Sequence, residues 1–472
     1  MKPPPLVSDT RSARAALILL ILVLGAVFLG LLLTGRLEAV KVADTRSYMD
    51  ASRSTSLKAA LSHHRTIGFP MLIRFLYSAG TSPQAIPTLG ISTYFLGVLL
   101  FFFGVRQYAR STLMAFAAAV PLPFAGVMTL VSLLQPDFLS AAFVLVSISS
   151  LLLVISNTQN WAAWIGIALG VPMAYQFRPA AQFLVLLIPI LASIFLWLRC
   201  GSPLSRVLRV ASITACVTMT PFLLFCALRV VTVGNFGLVS FGGSNLAASV
   251  VNFLDTDLVR KVPADSRSLA KKILKKRRIR GWEPMRLDSD PVEHFRQGSD
   301  NLFRIARDAA KQESRAAARQ EGAQPTDPEI NINVDVDRRL TRLAIQIIRL
   351  RTGLYVNWIR HSSIYGLSQL RNYPWIVVPF ILLTFSLPIA WLRRPAPPEV
   401  PADSQATFAG SRAASLSTLI VLALGYFTAY LLLVSCTFFP FDRYFVSLTL
   451  FIPSALVAGL LEIWRRVLAL KL

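Results

Sequence analysis

Long apolar blocks separated by polar turns dominate the pattern along the chain. Each block is about 20 residues long, the length of helix that crosses the hydrocarbon core of a bilayer. The pattern therefore predicts an all-α polytopic membrane protein with about ten transmembrane helices. The predicted spans are 15–34, 85–105, 112–134, 138–155, 161–175, 182–198, 210–231, 375–392, 416–436 and 444–464.

Three of these spans depart from a plain apolar helix. Spans 161–175 and 182–198 are short and flank Arg178, so either could be tilted or partly re-entrant. Pro121 and Pro123 predict a kink in the third span, because proline removes a backbone donor and clashes with the preceding turn.

Basic residues in the turns predict the orientation. The first span follows three cations near the N-terminus and is too long for an ordinary signal peptide, which indicates an uncleaved signal anchor. With the N-terminus in the cytoplasm, Lys and Arg collect at four turns on that same side. We therefore expect a multi-pass protein of the bacterial plasma membrane, with both termini cytoplasmic.

This topology divides the chain into three regions. The N-terminal membrane region, 1–231, has about seven spans and a first outer loop at 35–84. An extracytoplasmic insertion follows at 232–374, and the C-terminal membrane region, 375–472, has about three spans. Helices are predicted within the insertion at 266–280, 301–319 and 335–358, with a break at 322–328.

Composition changes this picture only slightly. Of 472 residues, 54% are apolar, while 48 Lys and Arg against 24 Asp and Glu give a net charge of +24. The apolar share excludes a disordered polycation, and the positions of the apolar blocks argue against nucleic acid as a partner. The insertion alone carries 24 basic and 15 acidic residues, a net charge of +9.

The informative charges are the few polar residues predicted on the outer side, at the ends of spans. Charged groups near the membrane are costly and therefore mark candidate functional sites. We expect two acids and three arginines to converge at one membrane face. The candidate residues are Asp44, Tyr48, Arg65, Asp137, Arg178, Arg443 and Tyr444.

Each candidate also has a purely structural alternative. Asp44 and Asp137 each precede or begin a helical stretch and could serve as helix caps. Arg178 and Arg443 could extend to lipid phosphates, and Tyr444 fits the aromatic belt of a membrane interface.

Other signals are weaker. His63 and His64 are more typical of interfacial packing than of acid–base groups. The D-x-D at 335–337 lacks the βαβ context of soluble sugar transferases, and the basic run at 271–280 suits either anionic lipid or a solvated face. The four cysteines form no C-x-x-C pair, and the chain has no P-loop, H-E-x-x-H or G-x-S-x-G motif.

The order of the outer motifs resembles a known family. An acid shortly after the first span, then D-x-x-x-Y, then R-x-x-G-[FY]-P, is similar to the polyprenyl-phosphate-sugar-dependent glycosyltransferases of the GT-C superfamily. That group includes the protein O-mannosyltransferases and the aminoarabinose transferases acting on lipid A. The matching residues are Asp44, Tyr48, Arg65, Gly68, Phe69, Pro70, Asp137 after Gln135-Pro136, Arg178-Pro179 and Arg443-Tyr444.

The resemblance implies an enzyme that moves a sugar from a polyprenyl phosphate to a glycan, lipid or protein acceptor, with inversion. Asp44 would be the base, and Arg65, Arg178 or Arg443 would hold the leaving phosphate. Asp137 would orient the acceptor or ligate a divalent cation, Mg²⁺ or Mn²⁺, as a candidate cofactor.

Two features depart from the family pattern. Many relatives have two adjacent acids where this chain has Asp44 alone, unless Glu38 or Asp50 supplies the second. The insertion also lies between the seventh and eighth spans, whereas several relatives place a soluble domain after the last. The resemblance therefore leaves both the sugar and the acceptor open.

Two other function classes remain in competition. A ligase or polymerase of lipid-linked glycans would use the outer arginines without requiring Asp44. A transporter or flippase would place polar groups near the middle of the membrane, whereas the span interiors here are almost free of charge. A scaffold in which the insertion binds a partner is a further alternative.

Overall fold

The computed structural model describes residues 10–200, 203–286, 289, 291–320, 328–392, 402–437 and 442–469. Across these ranges the regular structure is helical, with a single isolated β-bridge. Seven helices in the described part are long and apolar enough to cross a membrane, which confirms a helical polytopic membrane protein. The total of ten spans stays a prediction. The seven are Arg11–Leu33, Pro83–Ala109, Thr112–Leu130, Asp137–Ser156, Pro179–Leu198, Leu204–Val233 and Ser415–Thr437.

The helices follow one another with short connections. The first ten are α1 (Thr10–Leu33), α2 (Thr45–Ser52), α3 (Leu57–Ser62), α4 (Gly68–Ser78), α5 (Ile86–Ala109), α6 (Thr112–Ala119), α7 (Asp137–Ser156), α8 (Trp161–Phe177), α9 (Leu184–Cys200) and α10 (Leu204–Val233). The next seven are α11 (Gly242–Val250), α12 (Thr256–Lys261), α13 (Ala264–Ile279), α14 (Pro291–Asp300), α15 (Arg307–Gln320), α16 (Pro328–Leu350) and α17 (Thr352–Gln369). The last four are α18 (Pro374–Leu392), α19 (Ala402–Thr437), α20 (Asp442–Leu448) and α21 (Ile452–Ala469).

In the membrane region α5 packs closely against α7, and glycines on α5 explain this approach. Gly90, Gly97 and Gly104 recur every seven residues and therefore lie on one face of α5. A Cβ atom on Gly104 would lie 2.9 Å from the carbonyl oxygen of Ser149 on α7. Small residues of this kind let two membrane helices approach closely. Asp137 is the first residue of α7, the helix packed in this way.

Two predicted spans are interrupted. The predicted kink in the third is confirmed, because α6 ends at Ala119 and short 3₁₀ turns carry the chain past Pro121 and Pro123. The last predicted span, 444–464, is not one continuous helix but is divided between α20 and α21. The division leaves Tyr444 on a short helix of its own.

The insertion has its own apolar core, formed by residues between Ala247 and Trp358. Part of the basic run belongs to this core rather than to the surface. The guanidinium of Arg277 is fully buried and donates to the carbonyls of Val251 (2.7 Å) and Glu283 (2.9 Å). Burial lowers the pKa of Arg277 to about 10. The predicted break at 322–328 lies almost entirely outside the described residues.

Candidate functional site

The first group of candidate residues lies in the loop after α1. Asp44 precedes α2, but its side chain does not cap that helix. Its Oδ1 instead accepts a hydrogen bond from Nη2 of Arg65 at 2.6 Å. Arg65 also donates from Nε to Ser47 Oγ at 2.6 Å, and its guanidinium carbon lies 4.6 Å from the ring centre of Tyr48. We call Asp44, Tyr48 and Arg65 the loop cluster.

The second group lies where two antiparallel helices meet. Asp137 is the first residue of α7, and Arg178 directly follows α8. An acid at a helix N-terminus and a base at a C-terminus both interact favourably with the helix dipoles. Arg178 forms an ion pair with Asp137, and its guanidinium carbon lies 4.6 Å from the ring centre of Tyr444. We call Asp137, Arg178 and Tyr444 the helix-end cluster.

A short backbone bridge holds the two acids near one another. Val40 pairs with Leu133 in the isolated bridge, where Val40 N donates to Ser132 O and Leu134 N donates to Val40 O at 2.7 and 2.8 Å. Thr45, the residue after Asp44, donates from its hydroxyl to the carbonyl of Leu134 at 3.0 Å. The segments that precede Asp44 and Asp137 are therefore bonded directly to each other.

Gly68 brings the two arginines together in a similar way. The N-terminus of α4 lies so close to α8 that a Cβ atom on Gly68 would be 2.7 Å from the carbonyl oxygen of Gln176. The hydroxyl of Thr66 also donates to the carbonyl of Phe177 at 3.3 Å. Arg65 directly precedes Thr66 and Arg178 directly follows Phe177, so these contacts bring the two arginines close together. The approach of α4 to α8 requires glycine at position 68, since a Cβ atom there would clash with the Gln176 backbone.

Both clusters line one cavity of about 760 Å³. Six of the seven residues predicted from the sequence are on its wall. They are Asp44, Tyr48, Arg65, Asp137, Arg178 and Tyr444. The seventh, Arg443, has a side chain outside the described residues. Asp50 and Glu38, considered as a second acid, are not among the lining residues of this cavity.

Burial distinguishes the two clusters. The side chains of Asp44 and Arg65 are 23% and 18% exposed, whereas those of Asp137 and Arg178 are 6% and 9% exposed. The guanidinium of Arg178 is turned inward onto Asp137 and Tyr444. The alternative in which it reaches phosphates of the surrounding lipid stays a prediction. Of the two acids, Asp44 is therefore the more accessible to a molecule bound in the cavity.

The insertion supplies part of the same cavity, which the sequence did not predict. Asp337 on α16 lines it and accepts from Gly243 N at 2.7 Å and from Asn235 Nδ2 at 3.1 Å. Burial raises the pKa of Asp337. Asp335, the other acid of the D-x-D, pairs instead with Arg339 at 2.7 Å. The two acids therefore have separate partners. The polar face of α16 was the feature of the sequence that could have indicated its place on the cavity wall.

One further contact fixes the insertion against the first loop. The buried guanidinium of Arg229, near the end of α10, donates from Nε to the carbonyl of Leu61 on α3 at 3.1 Å. It also donates from Nη2 to Ser240 Oγ at 2.7 Å, in the segment that leads to α11. One side chain thus joins the loop at 35–84 to the start of the insertion.

The histidines beside Arg65 are held neutral. His63 and His64 stack with their ring centres 4.3 Å apart, and His64 lines the cavity. Burial, followed by the charge of Arg65, lowers the pKa of His63 to about 4. Burial, followed by the neighbouring His63, lowers the pKa of His64 to about 2. Neither is suited to proton transfer near neutral pH, since a general acid or base works best near its own pKa.

Metal binding stays a prediction. Among the described residues no group of three or more His, Cys, Asp or Glu side chains is arranged to hold an ion. The candidate ligand Asp137 is paired with Arg178.

Comparison with models of known protein families, with curated proteins and with solved structures returned no match for this chain. The likeness to the GT-C superfamily therefore stays a prediction from the motifs.

Proposed function

We propose that the protein is an integral membrane glycosyltransferase that moves a sugar from a polyprenyl-phosphate donor to a cell-envelope acceptor, on the extracytoplasmic face of a bacterial plasma membrane. The observation that carries this proposal is the single cavity lined by both acid–arginine–tyrosine clusters. Large, mostly apolar cavities with a few convergent polar groups are the usual form of a ligand site.

The lining of the cavity suits a lipid phosphate. Leu433 and Val434 on α19 supply apolar wall, while Arg65 and Arg178 supply the charge. A polyprenyl phosphate has the same division, an apolar chain ending in an anionic head. Guanidinium groups bind phosphate oxygens in pairs, which gives them both strength and a fixed geometry.

The proposed step is a single displacement. The acceptor hydroxyl oxygen attacks the anomeric carbon, and the bond from that carbon to the phosphate oxygen breaks as the new glycosidic bond forms. The hydroxyl proton passes to the carboxylate of Asp44, and the bonding electron pair leaves with the polyprenyl phosphate. Arg65 and Arg178 stabilise the charge that develops on this leaving group. One displacement inverts the anomeric configuration.

The two acids receive different roles from their surroundings. Asp44 is the more exposed and lies beside the arginine that would contact the donor, so we assign it as the base. Asp137 is buried against Arg178, and we assign it to holding that arginine and the ring of Tyr444 in place. Tyr48 restrains Arg65 in the corresponding way.

The test is Asp44→Asn in the full-length protein reconstituted in membranes. With radiolabelled polyprenyl-phosphate hexoses and envelope fractions as acceptors, we expect transfer to fall by about 10²- to 10⁴-fold, the usual contribution of a general base. Asp50→Asn is the matched control, because it makes the same change on α2 at an exposed position that does not line the cavity.

Two outcomes would contradict the proposal. Full transfer by Asp44→Asn would remove the assigned base and favour a ligase of lipid-linked glycans. Movement of the labelled lipid across the bilayer without release of polyprenyl phosphate would favour a transporter or flippase. Release of polyprenyl phosphate is therefore measured together with transfer.

A further inference from the structure

A row of arginines on α16 forms the part of the cavity wall that the displacement above does not use. Residues between Asp337 and Arg349 that line the cavity recur with the period of a helix and so share one face. Three of these residues are arginines, namely Arg338, Arg342 and Arg349. From the first to the last is eleven residues, or about 16 Å along a helix.

The partners of these arginines leave their charge available. Arg338 donates to the backbone carbonyl of Gly234 at 3.0 Å, which does not neutralise it. Arg342 pairs with Asp265 at 3.0 Å, but both side chains are about half exposed, and pairs of this kind are weak. Within the described residues Arg349 has no acidic partner.

The acids of the cavity do not compensate for this row. Five arginines and three aspartates line the cavity, an excess of two positive charges. Asp44 and Asp137 are engaged by Arg65 and Arg178, and Asp337 accepts from Gly243 N and Asn235 Nδ2. The uncompensated charge therefore lies on the wall formed by the insertion.

We propose that this arginine face of α16 binds an acidic saccharide, whose carboxylate or phosphate groups lie along it, as the acceptor of the reaction. The inference depends on the proposed function, since it names the acceptor class of the same cavity. Two exposed aromatic residues on the cavity wall, Phe236 and Phe303, support a saccharide. The apolar face of a sugar ring packs on aromatic rings. A single donor phosphate occupies only a fraction of a face that is about 16 Å long.

The experiment measures binding rather than transfer. The full-length protein is placed in nanodiscs of phosphatidylcholine, which has no net charge, without donor. The probes are tetragalacturonate for carboxylates, an oligomer of glycerol phosphate for phosphates, and neutral maltotetraose. The variant R338Q/R342Q/R349Q is compared with K261Q/K271Q/K275Q, which removes the same charge from exposed positions of the insertion outside the cavity.

We expect at least one anionic probe to bind the wild type, and maltotetraose to bind weakly or not at all. The α16 variant is expected to bind that probe about tenfold or more weakly, and the lysine variant to bind it like the wild type. If the α16 variant loses affinity for tetragalacturonate, the acidic group is a carboxylate; if it loses affinity for the glycerol phosphate oligomer, the group is a phosphate.

Three outcomes would overturn the inference. In the first, neither anionic probe binds the wild type. In the second, the α16 variant and the lysine variant bind the anionic probe equally well. In the third, the α16 variant binds the probes like the wild type and is weaker only in its association with phosphatidylglycerol vesicles. The last would assign the arginines to lipid headgroups. Because no transfer is needed for binding, an inactive Asp44→Asn or a failed donor leaves this result unaffected.

Discussion

The loop cluster and the helix-end cluster have the same three residue types in the same contacts but different surroundings. In both, an aspartate pairs with an arginine whose guanidinium carbon lies 4.6 Å from the centre of a tyrosine ring. The Asp44–Arg65 pair is partly open to the cavity and lies in turns outside the helices, whereas the Asp137–Arg178 pair is buried where the ends of the two long helices α7 and α8 meet.

This difference in burial indicates a difference in task. An ion pair near solvent contributes little to stability, so its groups can change partners when a substrate arrives. A buried pair is costly to break, because the remaining charge has neither water nor a partner. The loop cluster is thus suited to chemistry, and the helix-end cluster to holding a fixed charge beside it.

The largest expected effect comes from removing one charge of the buried pair. Arg178→Gln leaves Asp137 uncompensated, and we expect a loss of about 3–5 kcal/mol in the free energy of unfolding. Arg65→Gln is the matched change in the loop cluster and is expected to lose only about 0–1 kcal/mol. Denaturant unfolding of both variants in the same detergent measures the difference.

The double variant Asp137→Asn/Arg178→Gln sharpens this comparison. Removing both charges is expected to recover part of the stability lost by Arg178→Gln alone, because no isolated charge is left buried. Equal losses for Arg178→Gln and Arg65→Gln would show that burial does not separate the two clusters.

A smaller effect is expected where the clusters meet. Gly68→Ala would place a Cβ atom 2.7 Å from the Gln176 carbonyl oxygen, so α4 has to move away from α8. We expect a loss of about 1–3 kcal/mol, as for other overpacked sites, together with reduced transfer. Gly25→Ala in α1 is the control, since a Cβ atom at that position would meet no neighbouring group within 4 Å. Unchanged stability of Gly68→Ala would contradict the role given to this approach.

A further prediction concerns the pH dependence that His63 and His64, beside the loop cluster, give to stability. His63 and His64 have pKa values lowered to about 4 and 2, so below about pH 6.5 the unfolded chain binds protons that the folded chain does not. Stability therefore rises with pH between about 4 and 6.5, by up to about 1.4 kcal/mol per pH unit for each histidine.

The readout is the slope of unfolding free energy against pH for the wild type and for His63→Gln/His64→Gln. The variant is expected to have the flatter slope, whatever its overall stability, because the carboxylates contribute to both proteins alike. Identical slopes would show that the histidines are not buried in the neutral form.

The hydrophobic pattern predicted the helical membrane class well, because a bilayer requires long apolar helices with satisfied backbones. It also predicted the interruption at Pro121 and Pro123 from the chemistry of proline alone. It predicted 444–464 as one span, whereas the chain turns between α20 and α21. Apolar composition is the same on both sides of that turn, so hydropathy does not register it.

The sequence by itself determined which few charged residues border the spans, because placing charge near a membrane is costly and the exceptions are easily found. It did not determine their partners. The pairing of Asp44 with Arg65, the pairing of Asp137 with Arg178, and the meeting of both pairs in one cavity depend on the Val40–Leu133 bridge and on the close approach at Gly68. The face of α16 reached this cavity only through packing of the insertion. Such contacts join residues far apart in the chain, and only the folded arrangement decides them.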